Sequence, residues 1–298
     1  MIRIQVPATS ANLGPGFDTL GIALNLYNQV WMEESDSLMI SSRDSTRVPE
    51  DATNLVYRSA EHVYEECGRK LRGLHILQLS PIPMARCLGS SSACIVAGIC
   101  GANNLLGNPL KKQELVDLAA KIEGHPDNTT PCLEGGLVAS AVEGSHVYST
   151  SVPVTDKIRF VLFVPPFELK TEKARAVLPQ QYSRADAVYN ISRTALMVES
   201  LLTGDLKNLH IAVQDKIHQP YRAGLVAHID DIFRMSYELG SLGTYLSGAG
   251  PTIVSMVASN EADIFSKQAE KHFVDRQIDG WNIKAFAANA NGAEVFTE

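Results

Sequence analysis

Apolar and polar residues alternate from Ile2 to Val6, the pattern of a half-buried strand. Leu20 to Glu33 and Leu38 to Ser42 read as two further strands. Between Asn54 and Lys70 the period changes. Leu55, Val56, Ala60, Val63, Tyr64 and Cys67 fall on one face at helical spacing, with Gly68 near the end. Leu74 to Leu79 predicts a strand, and Ala93 to Leu106 a helix apolar almost all round, as expected of one buried beneath a sheet. Lys112 to Ile122 is amphipathic, with Leu115, Leu118, Ala119 and Ile122 together; Gly136 to Val142 and His146 to Thr150 return to strand character. The turn Val152-Pro-Val-Thr-Asp-Lys157 divides the chain into domains 1–152 and 153–298. Beyond it come a strand (Arg159 to Val164), a long helix (Arg184 to Leu202), strands Leu242 to Leu246 and Thr252 to Ala258, a helix (Glu261 to Val274) and a last strand (Trp281 to Ala287). That outline is β-α-β-β-α-β with helical insertions, the ferredoxin-like plan, and gives an α+β class.

With 298 residues, 45% of them hydrophobic, the chain can fill one large or two medium cores. A net charge of −7 argues against general attraction to nucleic acid or anionic membrane. No apolar run approaches the roughly 20 residues of a membrane-spanning helix, and Met1 to Val6 reads as a strand, not a signal peptide. Cys67, Cys87, Cys94, Cys100 and Cys132 are odd in number and form no Cys-x-x-Cys pair, which suits a reducing cytoplasm. No His-Glu-x-x-His occurs, so a structural zinc site is not expected.

Four stretches carry candidate chemistry. The first is Pro83-Met-Ala-Arg-Cys-Leu-Gly-Ser-Ser-Ser-Ala93, a small-residue loop between the strand 74–79 and the helix that follows. Gly89 lets the backbone approach a ligand, and serines at a helix start leave N–H donors and the positive dipole end facing the loop, which suits phosphate. By itself the stretch is equally a capped helix after a tight turn. No lysine follows Gly89, which excludes a Walker A loop, and no Gly-x-Gly-x-x-Gly follows a strand. The second stretch, Ala8-Thr-Ser-Ala-Asn-Leu-Gly-Pro-Gly-Phe-Asp18, is a turn that aims Asn12 and Asp18 at one point, or an ordinary polar turn. The third, Glu123-Gly-His-Pro-Asp-Asn128, ends a helix and holds four polar groups in six residues; Glu123 suits a cation, His125 and Asn128 a polar substrate, and Asp127 a proton or a helix cap. The fourth comprises Thr171-Glu-Lys-Ala-Arg175 and Arg222; an arginine fork suits a carboxylate, although by residue type alone both read sooner as surface residues. A glycine loop, Leu246-Ser-Gly-Ala-Gly-Pro-Thr252, links two strands.

Together these stretches resemble the GHMP kinases. The first loop resembles their motif Pro-x-x-x-Gly-Leu-Gly-Ser-Ser-x-Ala, with Cys87 where that motif has its first glycine. Leu246 to Thr252 resembles the third family motif, Ala8 to Asp18 the first and Glu123 to Asn128 the segment carrying the acidic metal ligand, the last two in the form used by the homoserine-phosphorylating branch. The resemblance spans essentially the whole chain. It implies a two-domain GHMP kinase fold, a ribosomal-protein-S5-like N-terminal domain and a ferredoxin-like C-terminal one, in a cytoplasmic homodimer. The implied reaction is ATP-dependent phosphorylation of the L-homoserine hydroxyl to O-phospho-L-homoserine, for threonine synthesis. The alternatives are a GHMP kinase for another small alcohol, such as a mevalonate-like acid, and a non-catalytic ligand-binding regulator on the same fold.

The resemblance assigns the ATP phosphates to Pro83, Met84, Ala85, Arg86, Cys87, Leu88, Gly89, Ser90, Ser91, Ser92 and Ala93, Mg2+ to Ser91 and Glu123, and the amino-acid substrate to Asn12, Asp18, His125, Asn128, Arg175 and Arg222. Asp18 would meet the ammonium, Arg175 and Arg222 the carboxylate. Thr171 would lie near the phosphoryl path and Asn54 near the nucleotide base, while Asp127 is the candidate base in a reaction that does not strictly need one. For Cys87 the expectation is a backbone adjusted to ordinary φ, with the thiol beside the phosphates and protected by ATP from alkylation.

Overall fold

The structure is a computed structural model and describes residues 1–297. In chain order the first half contains β1 (Ile2–Ala11), β2 (Leu20–Glu34), β3 (Met39–Ser42), α1 (Leu55–Glu66), β4 (Leu74–Leu79), α2 (Ser90–Leu105), α3 (Lys112–Glu123), α4 (Pro126–Glu134), β5 (Leu137–Glu143) and β6 (His146–Val152). The second half contains β7 (Ile158–Val164), α5 (Thr171–Ala176), α6 (Arg184–Thr203), α7 (Leu209–Ala212), α8 (Gln219–Arg222), α9 (Ile229–Glu238), β8 (Gly243–Leu246), β9 (Ile253–Ala258), α10 (Ala262–Asp275), β10 (Asn282–Phe286) and β11 (Glu294–Thr297).

Two sheets result. The larger runs β11-β1-β2-β4-β3, with β5 also paired to β2 and β6 beyond it. The smaller is antiparallel in the order β10-β7-β9-β8, the strand order of a ferredoxin-like unit. As the apolar run 93–106 predicts, α2 is a core helix, with Ile95, Val96, Ala97 and Ile99 all buried. One hydrophobic cluster joins Ile4 and Val96 to Phe160, Met197 and Tyr245, so the two sheets share an interior. A second cluster, including Phe163, Phe265 and Phe273, fills the far face of the smaller sheet. Among the described residues no helix is long and apolar enough to cross a membrane.

Several elements depart from the sequence reading. β1 continues past Val6 to Ala11, so the expected turn 8–18 begins as strand; the register shifts at Pro7/Ala8, where a bulge accommodates the missing N–H. Gly124, at φ +93°, ends α3, and Pro126 opens α4, because its lost donor costs nothing at a first helical position. α9 and β11 are likewise absent from the expectation. β11 lies within the 153–298 span yet pairs antiparallel with β1, in register Ile2↔Thr297, and so joins the larger sheet.

The 83–89 loop is tied to both halves. Thr9 N–H donates to Leu88 O at 3.1 Å and Ser247 Oγ–H to Cys87 O at 2.7 Å, while Gly248 N–H reaches Ala11 O at 3.0 Å. This seam is where the cavity opens.

Candidate active site

A cavity of about 420 Å3 lies in the seam. At its floor is the start of α2. The first helical bond is Ala93 N–H to Gly89 O, 2.8 Å, so the amides of Ser90, Ser91 and Ser92 have no partner within the helix. All three serines line the cavity, and no side chain caps the helix. An uncapped helix start facing open space is an anion site in waiting. Gly89 makes it accessible: its φ is +69°, and a Cβ there would run into Thr9 Oγ1.

Beside the helix start, Ser91 Oγ–H donates to Glu123 Oε1 at 2.7 Å and Ser92 Oγ–H to the same oxygen at 3.2 Å. Glu123 is the last residue of α3. His125 and Asp127 follow, with Nδ1 to Oδ1 at 2.5 Å. Asp127 is only 4% exposed. Its hydrogen bond is the main cause of a raised proton affinity at His125, against the opposing effect of burial. Thr9 Oγ1–H donates to Asn128 Oδ1 at 2.7 Å.

The opposite wall carries charge. Arg175 grips Asp18 with both fork nitrogens, Nη1 to Oδ2 at 2.9 Å and Nη2 to Oδ1 at 2.8 Å. That bond raises the already high proton affinity of Arg175. Asn12 orients the Asp18 turn: its Oδ1 accepts from Asp18 N–H at 3.0 Å while its Nδ2 donates to Gly248 O at 3.0 Å. Arg222 is 1% exposed, which removes the surface reading of this residue. Its Nε donates to Ala174 O (3.1 Å) and its Nη1 to Gly248 O (3.1 Å) and His218 Nδ1 (3.2 Å). Burial, followed by the Arg175 charge, lowers its proton affinity, and Nη2 remains for a ligand.

These features are a phosphate-type anion site, a hydroxyl–carboxylate pair and a wall with one anionic and two cationic side chains. The GHMP kinase N-terminal domain matches residues 54–136 and the GHMP kinase C-terminal domain matches 197–275. A homoserine kinase of Clostridium botulinum (strain Eklund 17B) is 43% identical over 299 aligned positions, covering 99% of this chain and 98% of the relative. The chain belongs to the GHMP kinase family. It also matches the crystal structure of a homoserine kinase from Cytophaga hutchinsonii with a TM-score of 0.89 and 32% identity, over 99% of this chain and 97% of that one. A mevalonate kinase crystal structure shares the fold, with a TM-score of 0.72 at 12% identity over 97% and 99% of the two chains.

Within this GHMP kinase the cavity is lined by Asn12, Asp18, Asn54, Glu123, His125, Asp127, Asn128, Thr171, Arg175 and Arg222, and by Met84, Ala85, Cys87 and Gly89 to Ser92 of the loop. Pro83, Arg86, Leu88 and Ala93 are not among the lining residues. Leu88 and Ala93 are core residues, and Arg86 turns away to donate to Pro165 O and Pro166 O at 2.9 and 2.8 Å, which anchors the loop. Asn54 borders the cavity with its amide already employed: Oδ1 caps α1 at Val56 N–H, and Nδ2 donates to Gln78 Oε1 and Pro49 O.

Thr9, Gln78 and Ser80 were not foreseen. Gln78 had a signal. It lies in phase with Leu74 and Ile76 on the buried face of β4, and a polar residue at such a position marks an interior hydrogen bond or a site. The Arg47 to Thr53 segment of the lining carries no comparable pattern.

Cys87 corrects its expectation. Its φ is +53°, so the backbone keeps the left-handed conformation that the family fills with glycine. Burial pushes the thiol up to about 11, so at neutral pH it is protonated and a poor target for alkylation with or without ATP. Left-handed strain at a non-glycine costs roughly 1–3 kcal/mol, against roughly 0.5–1 kcal/mol for the added freedom of glycine in the unfolded chain. Cys87→Gly is therefore expected to raise the melting temperature by a few degrees; a lower value would mean that packing of the thiol outweighs the strain.

Proposed function

We propose that this GHMP kinase transfers the γ-phosphoryl group of ATP to the side-chain hydroxyl of L-homoserine, giving O-phospho-L-homoserine and ADP, in the cytoplasm and as a homodimer. The observation that carries the reading is the pairing of Asp18 with Arg175, beside Arg222, within the same cavity as the open start of α2. One wall thus has the charges to receive a zwitterion, and the floor has the donors to receive phosphate.

The Asp18–Arg175 pair is partly exposed, with side-chain exposures of 35% and 39%. Pairs of that kind contribute about 0–1 kcal/mol, so opening the pair costs little. A zwitterionic amino acid replaces it with two pairs: ammonium on Asp18, carboxylate on Arg175 and the free Nη2 of Arg222. An acid without an ammonium group, such as mevalonate, would leave Asp18 unmatched. Asn12 and the His125–Asn128 segment line the space between this wall and the phosphate floor and would hold the reacting hydroxyl.

The amides of Ser90 to Ser92 would hold the transferring phosphates. Ser91 and Glu123 fit Mg2+: a hydroxyl and a carboxylate 2.7 Å apart beside a phosphate site match an ion that takes one or two protein oxygens plus phosphate oxygens. Bound there, the ion would neutralise charge on the phosphate oxygens. Asp127 is already engaged with His125 Nδ1 and does not stand free to take the hydroxyl proton. The reaction accordingly rests on positioning and charge. Retention of both Ser91 and Glu123 speaks against a non-catalytic regulator.

A coupled assay of ADP release with ATP, Mg2+ and a panel of L-homoserine, L-serine, L-threonine and mevalonate tests the substrate. Homoserine should be turned over well above the rest; equal turnover of mevalonate would overturn the assignment.

A further inference from the structure

His218 touches no ligand-lining space, yet it is completely buried between the two halves of the proposed amino-acid pocket. Its Nε2 lies 2.6 Å from Gly14 O. A carbonyl only accepts, so Nε2 carries the hydrogen, and in the neutral ring Nδ1 is then a lone pair. That lone pair faces Arg222 Nη1 at 3.2 Å, and Nη1 has only a donor to offer. The ring also stacks on Phe17, centroids 5.4 Å apart.

Each contact holds a different part of the pocket. Gly14 lies in the turn between Asn12 and Asp18, and Asn12, Leu13, Gly14 and Asp18 all have positive φ. A turn with that much left-handed backbone depends on outside contacts to stay in one shape. Arg222 is the buried cation of the same pocket. His218 itself is fixed by Asp215, whose Oδ2 accepts from His218 N–H at 2.8 Å and Gln219 N–H at 2.6 Å. Asp215 Oδ1 is taken by Asn190 Nδ2 and Ile217 N–H. With Asp215 so occupied, the Nε2 hydrogen goes to Gly14.

We infer that His218 is a positioning residue that sets the Asp18 turn and the Arg222 guanidinium in mutual register, so that one zwitterionic substrate can meet both. Burial, the leading effect, keeps the imidazole neutral despite the opposing pull of the Asp215 carboxylate. A protonated ring would have no lone pair for Arg222. The inference rests on the amino-acid substrate proposed above.

The two links can be separated. Asparagine places an acceptor oxygen about where Nδ1 lies and keeps the Arg222 link; glutamine places a donor about where Nε2 lies and keeps the Gly14 link. Steady-state kinetics of the full-length protein with ATP and L-homoserine are compared for wild type, His218→Asn and His218→Gln, with melting temperatures. His218→Gln, which frees the buried cation, should raise KM for homoserine at least about tenfold, the weight of one charged hydrogen bond. His218→Asn should raise it by a smaller factor, and KM for ATP should move less than about twofold in either, as expected for a site remote from the nucleotide. A role in stability alone would lower both melting temperatures and shift the two KM values together, or leave homoserine KM unchanged; any of these, or failure of both variants to fold, overturns the inference. Absence of homoserine turnover by the wild type would instead bring down the substrate reading beneath it.

Discussion

Glu123→Gln should lower kcat by about 30- to 150-fold, the equivalent of about 2–3 kcal/mol for a charged hydrogen bond lost at the reacting group, and move the Mg2+ titration to higher concentration. The substitution isolates charge from shape. Glu123 Oε1 accepts from Ser91 and Ser92, and an amide oxygen in the same place can accept from both. The helix start and the end of α3 should therefore stay together, with little change in melting temperature. What disappears is the negative charge beside the open amides of α2, where a divalent cation bound to phosphate needs a carboxylate. An unchanged Mg2+ dependence would remove Glu123 from the metal site and with it the proposed use of the α2 floor.

Arg222→Leu is expected to reduce kcat/KM for homoserine at least about 100-fold and also to destabilise the fold. Arg222 is enclosed by Ala174 O, Gly248 O and His218 Nδ1; when it is removed Gly248 O keeps the Asn12 amide, but Ala174 O and His218 Nδ1 lose their donor. Each buried group left unpaired costs about 1–3 kcal/mol. Arg175→Leu is different. Its fork pairs with Asp18 and lies 5.7 Å over the Phe17 ring, and both Arg175 and Asp18 are partly exposed, so stability should change by about 1 kcal/mol or less. Its homoserine kcat/KM should still fall about 10- to 150-fold, with nucleotide affinity nearly unchanged. The two arginines, equivalent by residue type, are thus separated by burial. Equal melting temperatures for the two variants would contradict that separation.

The sequence made local features legible and left their meetings hidden. The helical face of α1, the all-round apolar α2 and the β-α-β-β-α-β order of the smaller sheet follow from periodicity. The glycine and serine run at 89–92 is recognisable because phosphate chemistry demands it within a few consecutive residues. Asp18 and Arg175, by contrast, are 157 residues apart, and neither segment hints that they pair. By residue type alone Arg222 reads sooner as a surface residue than as a ligand, since nothing in His-Gln-Pro-Tyr-Arg announces burial. β11 is four residues long and its partner β1 lies at the other end of the chain, so no local pattern could join them. At Cys87 the expectation of an ordinary φ rested on avoiding strain; the loop keeps its left-handed turn because Ser247 holds Cys87 O from the second half of the molecule.

The central claim is that the cavity brings the terminal phosphate of ATP to an amino-acid hydroxyl. Transfer of label from γ-32P-ATP in the presence of L-homoserine and Mg2+ tests it directly. The account predicts that labelled O-phosphohomoserine forms in step with ADP, with little labelled inorganic phosphate. ADP formation with the label recovered only as inorganic phosphate, or no transfer to homoserine at all, would contradict it.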